Sequence, residues 1–161
     1  MMPGRGIRKP VDLGAGGVKI ARYSLGLFTI RMIDRSTQSP VRLDSLGDSG
    51  ADMYDIMGNC MRQRMSISSN DEKKKRVMDV IRFENIQRMA AGILRTGDYG
   101  YESDINDVET HSIRHKKRKG EAEMLPFYFR VAIPRLRNEG VAVLQRFKNM
   151  GVKTVLEADM R

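Results

Sequence analysis

Apolar and polar positions alternate with the period of a strand between Val18 and Asp34. Val18 and Ile20 flank Lys19, and Tyr23, Leu25 and Leu27 then share one face. Past Gly26 the phase shifts, with Phe28, Ile30 and Met32 apolar and Arg31 polar. A one-residue slip beside a glycine predicts a bulge or a break between two strands. Gln38, Ser39 and Pro40 mark a loop. The period then becomes helical, because Met53, Ile56, Met57, Cys60, Met61 and Met65 recur at three- and four-residue spacing. This predicts a helix over 49–65, capped by Ser49 and with Asp52 at the positive end of its dipole. Gly58 weakens its interior by about 1 kcal/mol relative to Ala, so the helix depends on packing. Met53, Met57, Met61 and Met65 form a core-facing stripe, the alternative being an adaptable surface for a partner. Cys60 on the same stripe reads as a small buried hydrophobe.

Residues 66–75 are polar loop. From Arg76 to Gln87, Val77, Ile81 and Phe83 oppose Met78 and Val80, the pattern of a strand covered on both faces. A further apolar run, 89–96, ends in the punctuation Gly97-Asp98-Tyr99-Gly100. Together they predict a hairpin turning near 85–88, without the Asn-Gly pair that would fix its register. Residues 101–123 are a polar centre. Aromatic and β-branched residues over 124–133 predict the clearest strand, stopped by Pro134 and returning through 138–140 into a second strand over 140–147. Val152, Val155, Leu156 and Asp159 continue in a helical pattern with no C-cap before Arg161, so a longer natural chain is expected. Residues 1–17, with two Pro, five Gly and three basic residues, read as a flexible basic arm. Their glycines open a strand rather than joining a strand to a helix, which argues against a nucleotide loop. The expected architecture is a single α+β domain over 18–161, with a mainly antiparallel sheet of five to six strands and two packed helices.

Composition narrows the function. The 161 residues include 29 Lys and Arg against 20 Asp and Glu, a net charge of +9, and one Cys, which excludes an internal disulfide framework. The longest apolar stretch, 125–134, is too short for a membrane span and contains Arg130. No secretory signal follows Met1–Lys9, so a cytoplasmic setting is expected. The charge is blocked: Asp98, Glu102, Asp104, Asp107 and Glu109 precede Arg114, Lys116, Lys117, Arg118 and Lys119. A cluster of cations displaces condensed counterions from a phosphate backbone, and its affinity falls with salt. The plain alternative is a solvated, disordered loop balancing the acidic block. Lys73–Arg76 would enlarge the same surface. Arg130, Arg146 and Lys148 flank the 125–147 hairpin and would track a phosphate backbone if they left one face, with Tyr128 as a stacking platform or core residue.

Candidate chemistry is sparse. His111 and His115, four apart, would share a helical face with Asp104, Asp107 and Glu109 nearby, but the segment lacks a helical apolar face and His115 sits among cations. Asp104-Ile105-Asn106-Asp107 lacks EF-hand spacing. Asp98, Glu102 and Asp104 form a Mg²⁺ set only if a lysine joins them as in a nuclease. No catalytic or metal residue and no cofactor is therefore assigned. The run Leu125-Pro126-Phe127-Tyr128-Phe129, Ile133-Pro134 and Gly140–Phe147 with Gly151, together with the Gly97–Gly100 turn, resembles uncharacterised bacterial proteins of mobile elements and anti-phage defence loci. That resemblance implies an accessory protein and carries over no catalytic residue. The function expected is a basic, non-catalytic nucleic-acid-binding module that contacts DNA or RNA phosphates without sequence specificity. Two alternatives stay open. One is an interaction subunit, homo-oligomer or N-terminal module of a larger assembly; the other, ranked last, is a metal-dependent nuclease.

Overall fold

The computed structural model describes residues 23–159. In chain order the elements are β1 (Tyr23–Ile33), β2 (Pro40–Val41), α1 (Met53–Ser66), β3 (Ser69–Asp71), β4 (Arg76–Ile86) and β5 (Met89–Asp98). There follow β6 (Ser103–Asn106), β7 (Ile113–Lys117), β8 (Leu125–Ala132), β9 (Glu139–Phe147), β10 (Met150–Gly151) and α2 (Lys153–Asp159). The α+β class holds, but the strands outnumber the five or six expected. Eight form one antiparallel sheet in the order β2-β1-β9-β8-β5-β4-β3, with β10 on β9, and β6 pairs β7 separately. The additional strands are two- or three-residue pairings, or the polar β6–β7 pair, and none carries an apolar alternation to read. The arm 1–17 and the strand start at Val18 lie outside the described residues. None of the described helices is long and apolar enough to cross a membrane.

The slip at Gly26 is not a bulge. β1 pairs β9 without interruption from Tyr23↔Phe147 to Arg31↔Glu139. Phe28 and Ile30 pack against the core on the inner face, while Leu25 and Leu27 are 65% and 75% exposed on the other. Both faces of β1 are apolar, and that mimics a phase change. The real bulge lies at Ile81, where the β4–β5 register shifts between Val80 and Arg82. It turns Ile81 to solvent and brings Met78, Val80 and then Phe83 to the same core.

α1 starts at Met53 rather than Ser49. Its N-cap is Asp52, whose carboxylate accepts the Tyr54 N–H at 2.8 Å. Met53, Met57 and Met61 are buried among Met78, Leu94 and Phe129, each such burial worth about 1.5–3 kcal/mol, and Met65 is half exposed at the end of the stripe. The β4–β5 hairpin turns at Gln87 and Arg88, both with positive φ (52° and 68°). Arg88 is held there by an ion pair with Asp52, donation from its Nε to the Ile133 carbonyl at 2.8 Å, and a guanidinium 4.8 Å from the Tyr54 ring centre.

Because every pairing is antiparallel, one end of the sheet collects the β3–β4 turn, the exit of β5, the entry of β8 and the β9–β10 turn. At that end β10 lies between β8 and β9, so β4 to β9 spans four strand spacings, about 19 Å.

Candidate nucleic-acid interface

The chain leaves β5 through a corner that only glycine fits. A Cβ on Gly97 would lie 2.2 Å from the Glu123 carbonyl oxygen, and Gly100 has φ +94°. At this corner the Tyr99 N–H donates to the Lys75 carbonyl (2.9 Å) and the Gly100 N–H donates to the Lys119 carbonyl (2.8 Å). Two basic runs far apart in sequence, Lys73–Arg76 and Arg114–Lys119, are thereby fastened to consecutive residues. The Lys75 stem lies against Gly100, and its ammonium stands 5.6 Å from the centre of the Tyr99 ring.

The Arg114–Lys119 run is ordered, contrary to the alternative of a disordered loop. β7 pairs β6 with Ser103↔Lys117, Asp104↔Lys116 and Ile105↔His115 in register. The acidic block followed by the basic block is thus a hairpin that folds onto its own counter-charges. Asp107 closes the turn: its carboxylate accepts the Glu109 and Thr110 N–H groups (2.9 Å each) and pairs with the Arg114 guanidinium at 2.7 Å. These donors, Thr110 first, then Arg114 and Glu109, hold the Asp107 carboxyl down to about 2. Glu121 accepts the Arg118 N–H and lies 2.8 Å from His115 Nε2, and both contacts lower its pKa.

The predicted cations fall into different environments. Lys116, Arg118 and Lys119 are exposed and, among the described residues, make no side-chain ion pair. Lys116 and Arg118, with Asp104, Arg114 and Glu121, border a shallow groove of about 830 Å³. Arg114 is exposed but committed to Asp107. Lys117 is only 4% exposed, its Nζ donating to the Asp98 carbonyl (3.1 Å) and standing 3.4 Å from the centre of the Tyr101 ring. Lys148 lies at the basic end, beyond Phe147. Arg130 and Arg146 do not share a face. Arg130 pairs in register with Val143, and Arg146, three positions further along β9, points the opposite way. Arg130 also sits mid-sheet, its Nε 2.8 Å from Met89 Sδ, so the hairpin as a whole offers no single phosphate track. Tyr128 points outward and is 36% exposed.

The additional residues here are Tyr99 and Tyr101, beside Lys75 of the second basic run and Lys117 of the first. Tyr101 is half exposed beside the cations. Its only trace in the sequence is its place next to the Gly97–Gly100 punctuation. The histidines do not share a helical face: His111 sits in the β6–β7 turn with φ +55°, and His115 lies on β7. Of the acidic residues weighed for a metal, Asp98 is bound by Arg76 at 2.6 Å and Asp107 by Arg114. Among the described residues no three His, Cys, Asp or Glu side chains gather as a ligand set. No family model, curated protein or solved structure matches the chain.

Proposed function

We propose that this chain is a basic, non-catalytic nucleic-acid-binding module that grips phosphates without reading sequence. The observation that carries this is the junction at Gly100, where the backbones of Lys75 and Lys119, one from each basic run, are fastened to consecutive residues. Arg76, Lys74 and Arg114 around that junction are paired with Asp98, Asp71 and Asp107, while Lys73, Lys75, Lys116, Arg118 and Lys119 make no side-chain ion pair among the described residues. Lysines on turns and a short hairpin act as point charges for phosphate, contacts that position a nucleic acid without reading its base edges. Tyr101, with one ring face taken by Lys117, offers the other to a base. A bacterial defence or mobile-element setting is what the resemblance of the C-terminal hairpin implies.

Fluorescence anisotropy with single- and double-stranded DNA and RNA across a salt series tests the proposal. Binding should weaken linearly in a log–log plot. Lys116→Gln, Arg118→Gln and Lys119→Gln combined should reduce the slope by about 0.9 for each duplex phosphate no longer neutralised, or about 0.7 on single strands. An unchanged slope would remove this corner as the contact surface.

A further inference from the structure

Independently of nucleic acid, the structure points to a surface for a second copy of this chain. Among the described residues, β1 is paired on one side by β9 along Tyr23–Arg31 and on the other only by β2, at Met32 and Ile33. Its outer edge from Tyr23 to Arg31 makes no backbone hydrogen bond to another described segment. Nine residues of open edge extend about 30 Å, a row of donors and acceptors ready for another strand. Natural edges are usually blunted by Lys, Pro or a bulge. This one carries no charge or Pro from Tyr23 to Ile30, the longest uncharged run among the described residues, and its register is unbroken. Its outward face presents Tyr23, Leu25 and Leu27 at 58%, 65% and 75% exposure.

We propose that two copies pair β1 to β1 in antiparallel fashion about a two-fold axis through Leu27, joining their sheets into one. The edge fits itself in that register. Leu27 meets Leu27, Leu25 meets Thr29 and the Tyr23 ring meets Arg31 on the outward face, while Gly26 lies opposite Phe28 on the inner face. The axis is perpendicular to the sheet, so both helix-bearing faces stay on one side. Charge selects this occupant. Two chains of net charge +9 repel one another overall, and an uncharged strip adds no like-charge pair at close contact. An acidic partner would gain nothing at this edge and would be drawn to the basic end instead. A contact of this size lies at the small end of specific interfaces, below about 1,200 Å², the class of weak and transient pairings.

The test is sedimentation velocity of the nuclease-treated full chain over a micromolar concentration series at high salt, with amide exchange followed along β1. A monomer–dimer equilibrium is expected, with consecutive amides from Ser24 to Thr29 protected as the dimer fills. In the monomer every second amide should exchange fast. Leu27→Lys, on an exposed side chain, should raise the dissociation constant at least about tenfold. Thr29→Lys should do the same from a second position, and Leu27→Thr should keep the dimer. A monomer at every concentration overturns the proposal, whether its edge amides exchange freely or are protected by another part of the same chain. A dimer indifferent to both lysine substitutions also overturns it.

Discussion

Lys117 at the end of β7 and Lys119 in the turn that follows have opposite environments, and substitution should separate them. Lys117 is buried, with its ammonium between the Asp98 carbonyl and the Tyr101 ring, so it fastens β7 to the β5 corner rather than facing solvent. Lys117→Met keeps the volume of the stem and removes the charged donor. It should cost about 1.5–3 kcal/mol, the range for a hydrogen bond to a charged group, while leaving the salt dependence of nucleic-acid binding unchanged. Lys119→Met, on an exposed side chain, should change stability by less than about 0.5 kcal/mol and flatten that salt dependence. Urea unfolding and a salt titration on the same two variants measure both quantities. If Lys117→Met instead flattened the slope and left stability intact, the side chain would have to turn outward in solution.

The hairpin that carries these residues owes its order to a carboxylate, and this makes it sensitive to acid in a defined window. Asp107 has its pKa lowered from 3.8 to about 2 by the Thr110 and Glu109 amides and the Arg114 guanidinium. A depressed carboxyl stabilises the fold above its unfolded pKa and loses that contribution as pH falls through the folded value. The β6–β7 turn should therefore be unchanged between pH 7 and about 4 and loosen between about 4 and 2. The Thr110 amide shift, followed by NMR, should titrate with a midpoint near 2; a midpoint near the ordinary carboxylate value would mean that the turn is not held this way. Elements whose stability comes from burial on a periodic face were legible in the sequence: α1, the β4–β5 hairpin and the β8–β9 hairpin. The β6–β7 hairpin was not, because its strands are polar on both faces and pair by charge. β2, β3 and β10 were too short to show a period. The turn at Gln87 and Arg88 lacked an Asn-Gly signal because Asp52, Tyr54 and the Ile133 carbonyl fix Arg88 from outside the hairpin. The Arg114–Lys119 run was visible as a basic cluster, but its junction with Lys75 through Gly100 depends on backbone hydrogen bonds that composition cannot reveal.

Across the whole molecule, the distribution of charge matters more than its sum. The antiparallel sheet sends the β3–β4 turn, the Gly100 corner, the β6–β7 hairpin and Lys148 to one end, and sends Arg88, Arg135 and Arg137 to the other. This arrangement allows a comparison at constant net charge. Lys116→Gln with Lys119→Gln removes two exposed cations from the Gly100 end, and Arg135→Gln with Arg137→Gln removes two exposed cations from the opposite end. Both pairs lower the net charge of +9 by the same two charges. If the protein attracted nucleic acid merely as a diffuse cation, both variants would lose affinity alike, because long-range attraction follows total charge. If the Gly100 end makes the contact, only the lysine pair should reduce the log–log slope, by roughly 1.8 on duplex DNA at about 0.9 per phosphate. The arginine pair should leave the slope unchanged, and any loss of affinity it causes should vanish at high salt, where the Debye length falls to about 3 Å at 1 M. Equal slopes for the two variants would refute a localised interface while leaving the fold and the β1 edge untouched, because none of the four side chains packs in the core or lies on that edge.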